Sequence, residues 1–430
     1  MFHEPIHVLG AGSIGILWAA SIRSKFPTYP ITLLLRDHDK NRKRVEATAA
    51  AEITSRNICS SEGNNCRQFE LGITWNNRRA PLEQHRWISL PVQFIREDSE
   101  QMHHHRQQHE HEQIQTLIVA TKAHQAKQAV ESVLDRLVLP TKNCVGDGQC
   151  TSSSDDSLSS FSSTRIILLC NGALSVREEL SKILPLTPAN GDNNANNAIS
   201  LILATTTHGA YLSGPNELVH AGAGMTFLEE PSSLSSLSCL ENNNIVQVWN
   251  EAGLNCTCLS SLEMNSMLWN KLAANCVINP LTSIFRCTNG ELLMEPSFPQ
   301  LREEILMEVA RVAAVAIETD DQQRQQQESS SSVEGTSSNN YNISSGIPSI
   351  DEMRKFVTQT ILATRDNKSS MYQDILRGQH HQRTEIDHLN GYVVRKGREM
   401  GFECPANEDL CSRIAELTAV QNTTSASTNR

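Results

Sequence analysis

The chain has 430 residues, a net charge of −11 at pH 7 and a mean hydropathy of −0.36, and this length allows two domains. No basic region is dense enough to neutralise a phosphate backbone, which argues against nucleic acid as a partner. No apolar run reaches the length of about 18 residues that a membrane span needs. The apolar run beginning at Ile6 leaves no room for a signal or transit peptide after Met1, so the sequence predicts a cytoplasmic protein unless the natural chain starts upstream.

The twelve cysteines include no CxxC pair, and most lie in apolar segments. This pattern predicts reduced thiols in the core and no disulfide framework. The closest pair, Cys256 and Cys258, has the spacing of alternate residues along a strand, with a metal or redox role as the alternative.

A glycine-rich turn follows the first predicted strand. It reads Gly10-Ala11-Gly12-Ser13-Ile14-Gly15 and leads into an apolar helix. The first glycine permits a tight turn, the second lets a pyrophosphate approach the backbone, and the third lets the helix pack on the strand. In this strand-turn-helix context the segment indicates dinucleotide binding, with the phosphates at the helix N-terminus.

The second predicted strand ends at Arg36, about twenty residues beyond the glycines. Enzymes that use NAD commonly carry an acidic residue there for the ribose hydroxyls, whereas an arginine suits the 2′-phosphate of NADP(H). We therefore predict NADPH as the cofactor, with Arg36 as a contact. Asp37 beside it leaves NAD as the alternative.

Polar residues also end the next two predicted strands. Lys122 follows the strand at 116–121, and Asn171 follows the strand at 165–170. Open parallel sheets bind ligands at this edge, so both residues are predicted to lie on the rim of the cofactor site. A further strand from Ile199 leads to Gly209, and the later segments 218–220 and 224–227 are predicted to extend the sheet in antiparallel fashion.

A stripe of three polar side chains crosses the apolar helical segment at 269–280. Lys271, Asn275 and Asn279 are spaced at i, i+4 and i+8, which places them on one helix face over roughly 12 Å. A solvated face would explain such spacing, but Trp269 and its apolar neighbours leave little of the helix for water. Because a buried ammonium needs partners, the stripe is predicted to line a cleft whose ligand carries oxygens.

The remaining chain is predicted to be helical, at 300–318, 350–364 and 384–400, which places a domain boundary near residue 260. Residues 1–260 would form the cofactor domain, 261–420 a helical substrate domain and 421–430 a disordered tail. Four insertions rich in His, Gln, Ser or Asn are predicted to be disordered loops, at 97–113, 144–164, 187–198 and 320–346. The histidines at 103–111 suggest a metal only weakly, and we predict no metal site.

Taken together, these motifs resemble those of the ketopantoate reductase family (2-dehydropantoate 2-reductase). The resemblance rests on the glycine turn and on the segments 121–125, 171–172, 205–208, 269–281, 289–292, 369–374 and 383–387. It implies an α/β N-terminal Rossmann-type dinucleotide-binding domain followed by an all-α C-terminal domain. NADPH and a small-molecule 2-oxo acid would bind in the cleft between them.

The resemblance also implies roles for individual residues. Lys271 would be the proton donor, and Glu385 would lie near the substrate hydroxyl and the nicotinamide. Asn171 would contact both ligands, and Lys122, Arg36 and Gly209 would contact the cofactor. The residues expected to hold the substrate are Asn275, Asn279, Asn289 and Ser370. Without this resemblance, a first-turn carboxylate for Glu385 and a helix cap for Ser370 are the better explanations of these two residues.

The implied reaction is the reduction of 2-dehydropantoate to (R)-pantoate in pantothenate and coenzyme A biosynthesis. The alternatives are a reductase of another 2-oxo acid and a catalytically silent module that senses NADPH. The segment 379–383 is about three residues longer than the family usually has, which puts the position of Glu385 in question. Oligomeric state is not determined by the sequence, and a homodimer is one option.

Overall fold

The computed structural model describes residues 4–36, 41, 66–75, 84–95, 113–137, 164–186, 199–214, 216–230, 245–329, 346–377 and 385–428. The chain forms two compact units. The first comprises Met1–Thr121, Ala126–Leu169 and Glu179–Cys258, and the second comprises Lys122–Gln125, Cys170–Glu178 and Leu259–Arg430. The second unit therefore includes two short segments that interrupt the first unit along the chain.

The first unit is built on a sheet of eleven strands among the described residues, in the order β11-β10-β7-β6-β5-β1-β2-β4-β3-β9-β8. The six strands from β7 to β4 in this order are all parallel. The strands are β1 Ile6–Leu9, β2 Ile31–Arg36, β3 Cys66–Trp75, β4 Gln84–Ile95, β5 Thr116–Val119, β6 Arg165–Leu168, β7 Ser200–Thr206, β8 Gly209–Gly214, β9 Glu217–Gly222, β10 Thr226–Glu229 and β11 Cys256–Leu259.

Continuous apolar runs explain the central strands. Every residue of β1, β5 and β6 is buried, as expected for parallel strands covered on both faces. Trp18 and Trp249 are fully buried in the same core and meet edge to face, with ring centroids 5.9 Å apart.

The predicted antiparallel extension is present at two different edges. β10 runs antiparallel to β7, whereas β9 runs antiparallel to β8 but parallel to β3. The long hairpin of β3 and β4, which the sequence analysis did not identify, supplies the edge to which β9 adds. The pair Cys256 and Cys258 lies on β11, in agreement with the predicted strand spacing.

Helices account for the rest of the described chain. They are α1 Ser13–Lys25, α2 Ala123–Glu131, α3 Ala173–Ser181, α4 Ile245–Glu251, α5 Ser261–Phe285, α6 Phe298–Ser329, α7 Ile350–Ala363, α8 Ser370–Leu376, α9 Asn390–Glu399 and α10 Pro405–Thr428, with short 3-10 turns at Leu134–Arg136, Gly290–Met294 and Glu385–His388. In the second unit α5 packs against α6, α7, α8 and α10. A parallel-rich α/β part followed by an all-α part confirms the predicted fold class.

Three predicted boundaries were wrong. The first ten residues of the insertion expected at 320–346 continue α6 as helix, and α10 extends through the expected tail to Thr428. The single helix expected at 384–400 is a 3-10 turn followed by α9, with a break at Leu389. Polar residues such as Gln have good helix propensity, so these Gln- and Thr-containing segments are helical although their composition had suggested loops. The other three insertions lie almost entirely outside the described residues.

No helix in the described part of the chain is long and apolar enough to cross a membrane. The same residues contain no group of three or more His, Cys, Asp or Glu side chains placed to hold a metal ion. The histidines at 103–111 lie outside the described residues.

Candidate active site

Two glycines of the N-terminal turn are required by its packing. Gly10 has a φ of 109°, and a Cβ atom there would lie 2.9 Å from the Cγ2 atom of Thr121. At Gly15 an added Cβ would lie 2.2 Å from the carbonyl oxygen of Gly10. Both positions therefore exclude any larger side chain.

Gly12 differs from these two glycines because its surroundings leave room for a Cβ. It is the N-cap of α1 with extended backbone angles, and an added Cβ would meet only the Ala120 carbonyl oxygen at 3.7 Å. The first turn of α1 has no acidic residue and no side-chain cap, so no side chain of the N-cap residue satisfies its first backbone N–H groups, which include those of Ser13 and Ile14. Together with Ala11, this helix start fits an anionic group such as a pyrophosphate.

Arg36 is the last residue of β2 and is partly buried. Its Nη2 atom donates a hydrogen bond of 3.2 Å to Oε1 of Gln128 on α2. Asp37, on which the NAD alternative depended, lies outside the described residues. Gly209 begins β8 as an exposed residue paired with Gly222, and its predicted cofactor role stays a prediction.

Helix α5 carries the predicted proton donor, and well-defined capping structures mark both of its ends. At its start Ser260 and Glu263 form a reciprocal capping box, and at its end Arg286 adopts the left-handed conformation with a φ of 54°. Most of the intervening surface is buried in the second unit. Lys271 is thus held on a long, well-anchored helix.

A pocket in the second unit contains about 310 Å³ of empty space, part of which opens to solvent. Ten residues line it, and all belong to that unit: Cys170, Asn171, Gly172, Ala173, Leu174, Leu268, Lys271, Leu272, Asn275 and His388. Of the predicted polar stripe, the structure places Lys271 and Asn275 in this lining. Asn279 is buried one turn further along and is not part of it.

Glu385 is buried beside this pocket despite the longer segment that precedes it. The Asn171 side chain and the Ala123 backbone N–H both donate hydrogen bonds to its carboxylate. Residues 378–384 lie outside the described part of the chain, but their extra length does not separate Glu385 from Asn171. Glu385 is also the first residue of the 3-10 turn Glu385–His388, so this position agrees with the first-turn alternative as well, and its role toward a substrate stays a prediction.

Lys122 forms an ion pair with Asp374 of α8. Asp374 belongs to the motif at 369–374, but no role was predicted for it from the sequence. Its position four residues after Ser370 on a helix was the available signal, because such spacing puts both residues on one face. Lys122 and Asp374 also act on Glu385, the first lowering and the second raising its pKa.

Burial and neighbouring charges shift the ionisation of the central groups. Burial lowers the pKa of Lys271 to about 8, although Cys170 and Glu385 both act in the opposite direction. Burial raises the pKa of Glu385 above its ordinary value and that of the Cys170 thiol to about 12. An ammonium that loses its proton this easily is suited to donate it.

The last two predicted substrate residues lie outside the pocket lining. Asn289 is buried, and its Nδ2 atom donates to Oγ1 of Thr364 at 2.9 Å, while its Oδ1 atom has no hydrogen-bond partner among the described residues. Ser370 is exposed in the first turn of α8. The cap of that helix is Ser369, whose hydroxyl accepts from the Tyr372 N–H at 3.2 Å. The capping alternative for Ser370 was therefore wrong by one residue.

Comparison with protein families decides the classification. The profile described as "Ketopantoate reductase PanE/ApbA" matches residues 6–233, and "Ketopantoate reductase PanE/ApbA C terminal" matches residues 263–418. The chain belongs to the ketopantoate reductase family. This confirms the resemblance drawn from the sequence motifs.

Named members of the ketopantoate reductase family align with parts of the chain. The 2-dehydropantoate 2-reductase of Vibrio cholerae is 36% identical over 218 residues, which cover 50% of this chain and 60% of the relative. That of Yersinia pestis is 29% identical over 302 residues, covering 70% of this chain and 74% of the relative. The chain thus spans less than two thirds of the length of the first of these relatives.

Solved structures share the fold over nearly the whole chain. A ternary structure of D-mandelate dehydrogenase with NADH and anilino(oxo)acetate has a TM-score of 0.62 at 18% identity, covering 97% of this chain and 99% of that chain. A ketopantoate reductase of Ralstonia eutropha JMP134 has a TM-score of 0.60 at 16% identity with the same coverage.

Proposed function

We propose that the chain catalyses the NADPH-dependent reduction of 2-dehydropantoate to (R)-pantoate, a step of pantothenate and coenzyme A biosynthesis. The observation that carries this proposal is one pocket lined by Lys271, Asn275 and Asn171, with Glu385 bonded to Asn171. A cation with a lowered pKa, a buried carboxylate and two neutral amides are the groups that a 2-oxo acid reductase needs. The names of the Vibrio cholerae and Yersinia pestis relatives support the same reaction.

The cofactor would bind at the glycine turn of the first unit. The uncapped N–H groups at the start of α1, preceded by Gly12, would receive the pyrophosphate. Arg36 would pair with the 2′-phosphate, with Gln128 orienting its guanidinium. When bound, NADPH supplies the hydride, and the protein supplies position and charge. Lys122 and Gly209 are further proposed contacts.

Lys271 would act on the carbonyl oxygen of the substrate. With a pKa of about 8, it is mostly an ammonium at neutral pH. Its charge would stabilise the negative charge that develops on that oxygen, and its proton would then complete the hydroxyl group. Lys271 is largely buried but partly exposed in the pocket lining, which lets it contact a ligand while α5 keeps its backbone fixed.

Glu385 and the asparagines would orient the substrate. The carboxylate of Glu385 can accept a hydrogen bond from a substrate hydroxyl, and Asn171 fixes its direction. Asn275 would donate to the substrate without adding charge, because a neutral amide leaves the electrostatics to Lys271. We assign the remaining substrate contacts, as proposals, to Asn279, Asn289 and Ser370.

A reductase of another 2-oxo acid is the second candidate. It is favoured by the similarity in fold to D-mandelate dehydrogenase, described in complex with NADH and anilino(oxo)acetate. The apolar residues Leu174, Leu268 and Leu272 in the pocket lining would accept several alkyl groups. This candidate keeps Lys271 as proton donor and changes only the preferred side chain of the acid.

The decisive experiment follows NADPH oxidation by absorbance with purified protein and 2-dehydropantoate, beside a panel of branched and linear 2-oxo acids. We expect the fastest turnover on 2-dehydropantoate and its near-complete loss in Lys271→Ala. A higher kcat/KM on another acid would favour the second candidate. Tight NADPH binding without turnover on any acid would contradict both and leave a sensing role.

Assembly can be measured on the same sample. A family relative from Staphylococcus aureus is described as a dimeric ketopantoate reductase. We propose that this chain also forms a homodimer, which light scattering coupled to size-exclusion chromatography would detect as twice the mass of 47.7 kDa. A monomer at catalytic concentrations would contradict the proposal.

A further inference from the structure

A proline interrupts the backbone hydrogen bonds of helix α5 close to the pocket. Pro280 lies in the interior of this helix, one turn beyond Asn275 of the pocket lining. Proline has no backbone N–H, and its ring crowds the carbonyl group four residues earlier, which is that of Cys276. The Cys276 carbonyl therefore lacks the donor that an uninterrupted helix would supply. Because both residues are buried, bulk water does not replace that donor.

Asn390, the first residue of α9, supplies a donor from outside the helix. Its Nδ2 atom donates to the Cys276 carbonyl oxygen at 3.0 Å and to Oδ1 of Asn407 at 2.9 Å. Asn390 and Asn407 are both 0% exposed, so these hydrogen bonds form away from water. The side chain of Asn390 thus joins the start of α9 to the point where the hydrogen bonds of α5 are interrupted.

Glu308 on α6 fixes the direction of these amides. Its carboxylate accepts from Nδ2 of Asn407 at 2.7 Å and from the backbone N–H groups of Ala406 and Asn407 at 2.8 and 3.0 Å. The nitrogen of the Asn407 amide therefore faces Glu308, and its oxygen faces Asn390. Because the Cys276 carbonyl can only accept as well, both neighbours require Asn390 to present its nitrogen.

The start of α9 is bonded to the turn that precedes it. This 3-10 turn, Glu385–His388, ends two residues before Asn390. Nη1 of Arg395 on α9 donates to the carbonyl oxygen of Asp387 in the turn at 2.8 Å. A displacement of Asn390 is therefore transmitted to the turn.

The turn and α5 carry the groups of the proposed reaction. Lys271 and Asn275 line the pocket from α5, whereas Glu385 is on the turn. Glu385 raises the pKa of Lys271 against the effect of burial, so the ionisation of the lysine depends on where the carboxylate lies. The hydrogen bond from Asn390 to Cys276 connects the two elements at the residue directly after Asn275.

We propose that Asn390 is a positioning residue, which fixes the turn carrying Glu385 relative to Lys271 on α5. It does so through the Cys276 carbonyl group that Pro280 leaves without a helical donor. This inference rests on the proposed function and adds the contact that aligns its two charged groups. If Asn390 served only to satisfy a carbonyl of α5, removing Pro280 would make it dispensable.

The test is a double-mutant cycle between Asn390→Ala and Pro280→Ala. Alanine at position 280 returns a backbone N–H to the Cys276 carbonyl. The loss of thermal midpoint caused by Asn390→Ala should therefore be at least about twofold smaller in the Pro280→Ala background. The loss of kcat on 2-dehydropantoate should be about 10-fold or more in both backgrounds, because the contact between turn and helix is missing in both. The dissociation constant for NADPH should not change.

Ser349→Ala is the matched control for a general loss of stability. Ser349 caps α7 in a reciprocal capping box with Glu352 and is not part of the pocket lining. Its replacement should lower the thermal midpoint and leave kcat unchanged. If Asn390→Ala does not fold, Pro280→Ala and the double variant supply the comparison of kcat.

Amide hydrogen exchange of residues 385–394, measured by mass spectrometry, tests the same contact without turnover. We expect faster exchange there in Asn390→Ala than in the wild type, and in the double variant than in Pro280→Ala, beyond any change in Ser349→Ala.

The outcomes separate this inference from the proposed function. If the wild type reduces 2-dehydropantoate and Asn390→Ala keeps its kcat, the positioning role is overturned while the reductase activity stands. A loss of kcat that disappears in the Pro280→Ala background overturns it equally. If the wild type reduces no 2-oxo acid, the proposed function fails and hydrogen exchange decides. Unchanged exchange of residues 385–394 on removal of Asn390, in either background, then overturns the inference.

Discussion

Against the effect of burial, the carboxylate of Glu385 raises the pKa of the Lys271 ammonium, although Lys271 is on α5 and Glu385 is on a 3-10 turn that is distant in the sequence. Burial works against both charges, lowering the pKa of the lysine and raising that of the glutamate. Glu385 thus offsets part of the cost of burying the lysine, and Lys122 and the Asn171 side chain favour the charged form of Glu385.

Replacing the buried cation should separate activity from stability. We expect Lys271→Met to lower kcat by about 100- to 10,000-fold, because the proton donor is lost. The same change should leave NADPH affinity unaltered and raise the thermal midpoint at pH 7 by roughly 2–4 °C, since burying the ammonium is costly. Lys355→Met, at an exposed position on α7, is the matched control and should change neither quantity. Retained turnover in Lys271→Met would refute the assignment.

The pH dependence of turnover should follow Lys271. Below about 8 it carries the proton that it donates, so kcat/KM should fall about tenfold per pH unit as the pH rises above that value. Measuring kcat/KM at a series of pH values between 6 and 10 tests this decrease. An unchanging rate up to pH 10 would show that another group supplies the proton.

Stability should change with pH in the opposite direction. The folded pKa of Lys271, about 8, lies below its ordinary value of 10.5, so between these values the unfolded chain binds more protons. The lysine's contribution to the free energy of unfolding therefore rises with pH across this window. The free energy of unfolding, measured with urea at pH 8 and at pH 10, should therefore change differently in the two proteins. Between these pH values it should rise less, or fall more, in Lys271→Met than in the wild type.

The two kinds of glycine in the N-terminal turn should respond differently to alanine. Gly15→Ala forces a Cβ against the Gly10 carbonyl and should cost about 3 kcal/mol of stability. Gly12→Ala meets no such obstacle and has compatible backbone angles, so the protein should fold normally. It should nevertheless bind NADPH at least ~10-fold more weakly, because the methyl group occupies the approach of the pyrophosphate. Isothermal titration and thermal unfolding of both variants measure the two effects, and unaltered NADPH affinity in Gly12→Ala would place the phosphates elsewhere.

Arg36 should determine the choice between NADPH and NADH. Arg36→Ala is expected to weaken NADPH binding by about 10- to 100-fold and to leave NADH binding nearly unchanged, because only NADPH has the 2′-phosphate. Gln128→Ala, which removes the partner of Arg36 but keeps the charge, should have a much smaller effect. Equal losses for both cofactors in Arg36→Ala would show that its role is structural.

The neighbouring serines at the start of α8 should have separable roles. Ser369→Ala removes the helix cap and the hydrogen bond from the Thr282 hydroxyl, so it should cost about 1 kcal/mol of stability or more. Ser370→Ala alters an exposed side chain and should stay within about 0.5 kcal/mol of the wild type. If Ser370 holds the substrate, this second variant should raise KM. An unchanged KM would remove Ser370 from the site.

Local sequence patterns determined the parts of this protein that depend on one segment at a time. The glycine turn followed from a strand, a spacing and a helix start that are contiguous in the chain. The stripe of Lys271 and Asn275 followed from helical periodicity, and both residues do line the pocket. The family motifs gave the fold class for the same reason, because each motif encodes a local conformation.

Tertiary structure decided which distant segments meet. Sequence patterns did not reveal that Asp374 pairs with Lys122, that Asn171 bonds to Glu385, or that Ser175 contacts both His388 and Arg395. It also missed β3 and β4, whose pairing creates the edge used by β9. Periodicity indicates which face of a helix or strand is buried. Which other helix or strand packs against that face depends on many weak contacts summed over the whole fold. For this reason the sequence placed Lys271 and Asn275 on one helix face, whereas their hydrogen bonds, ionisation and neighbours required the folded chain.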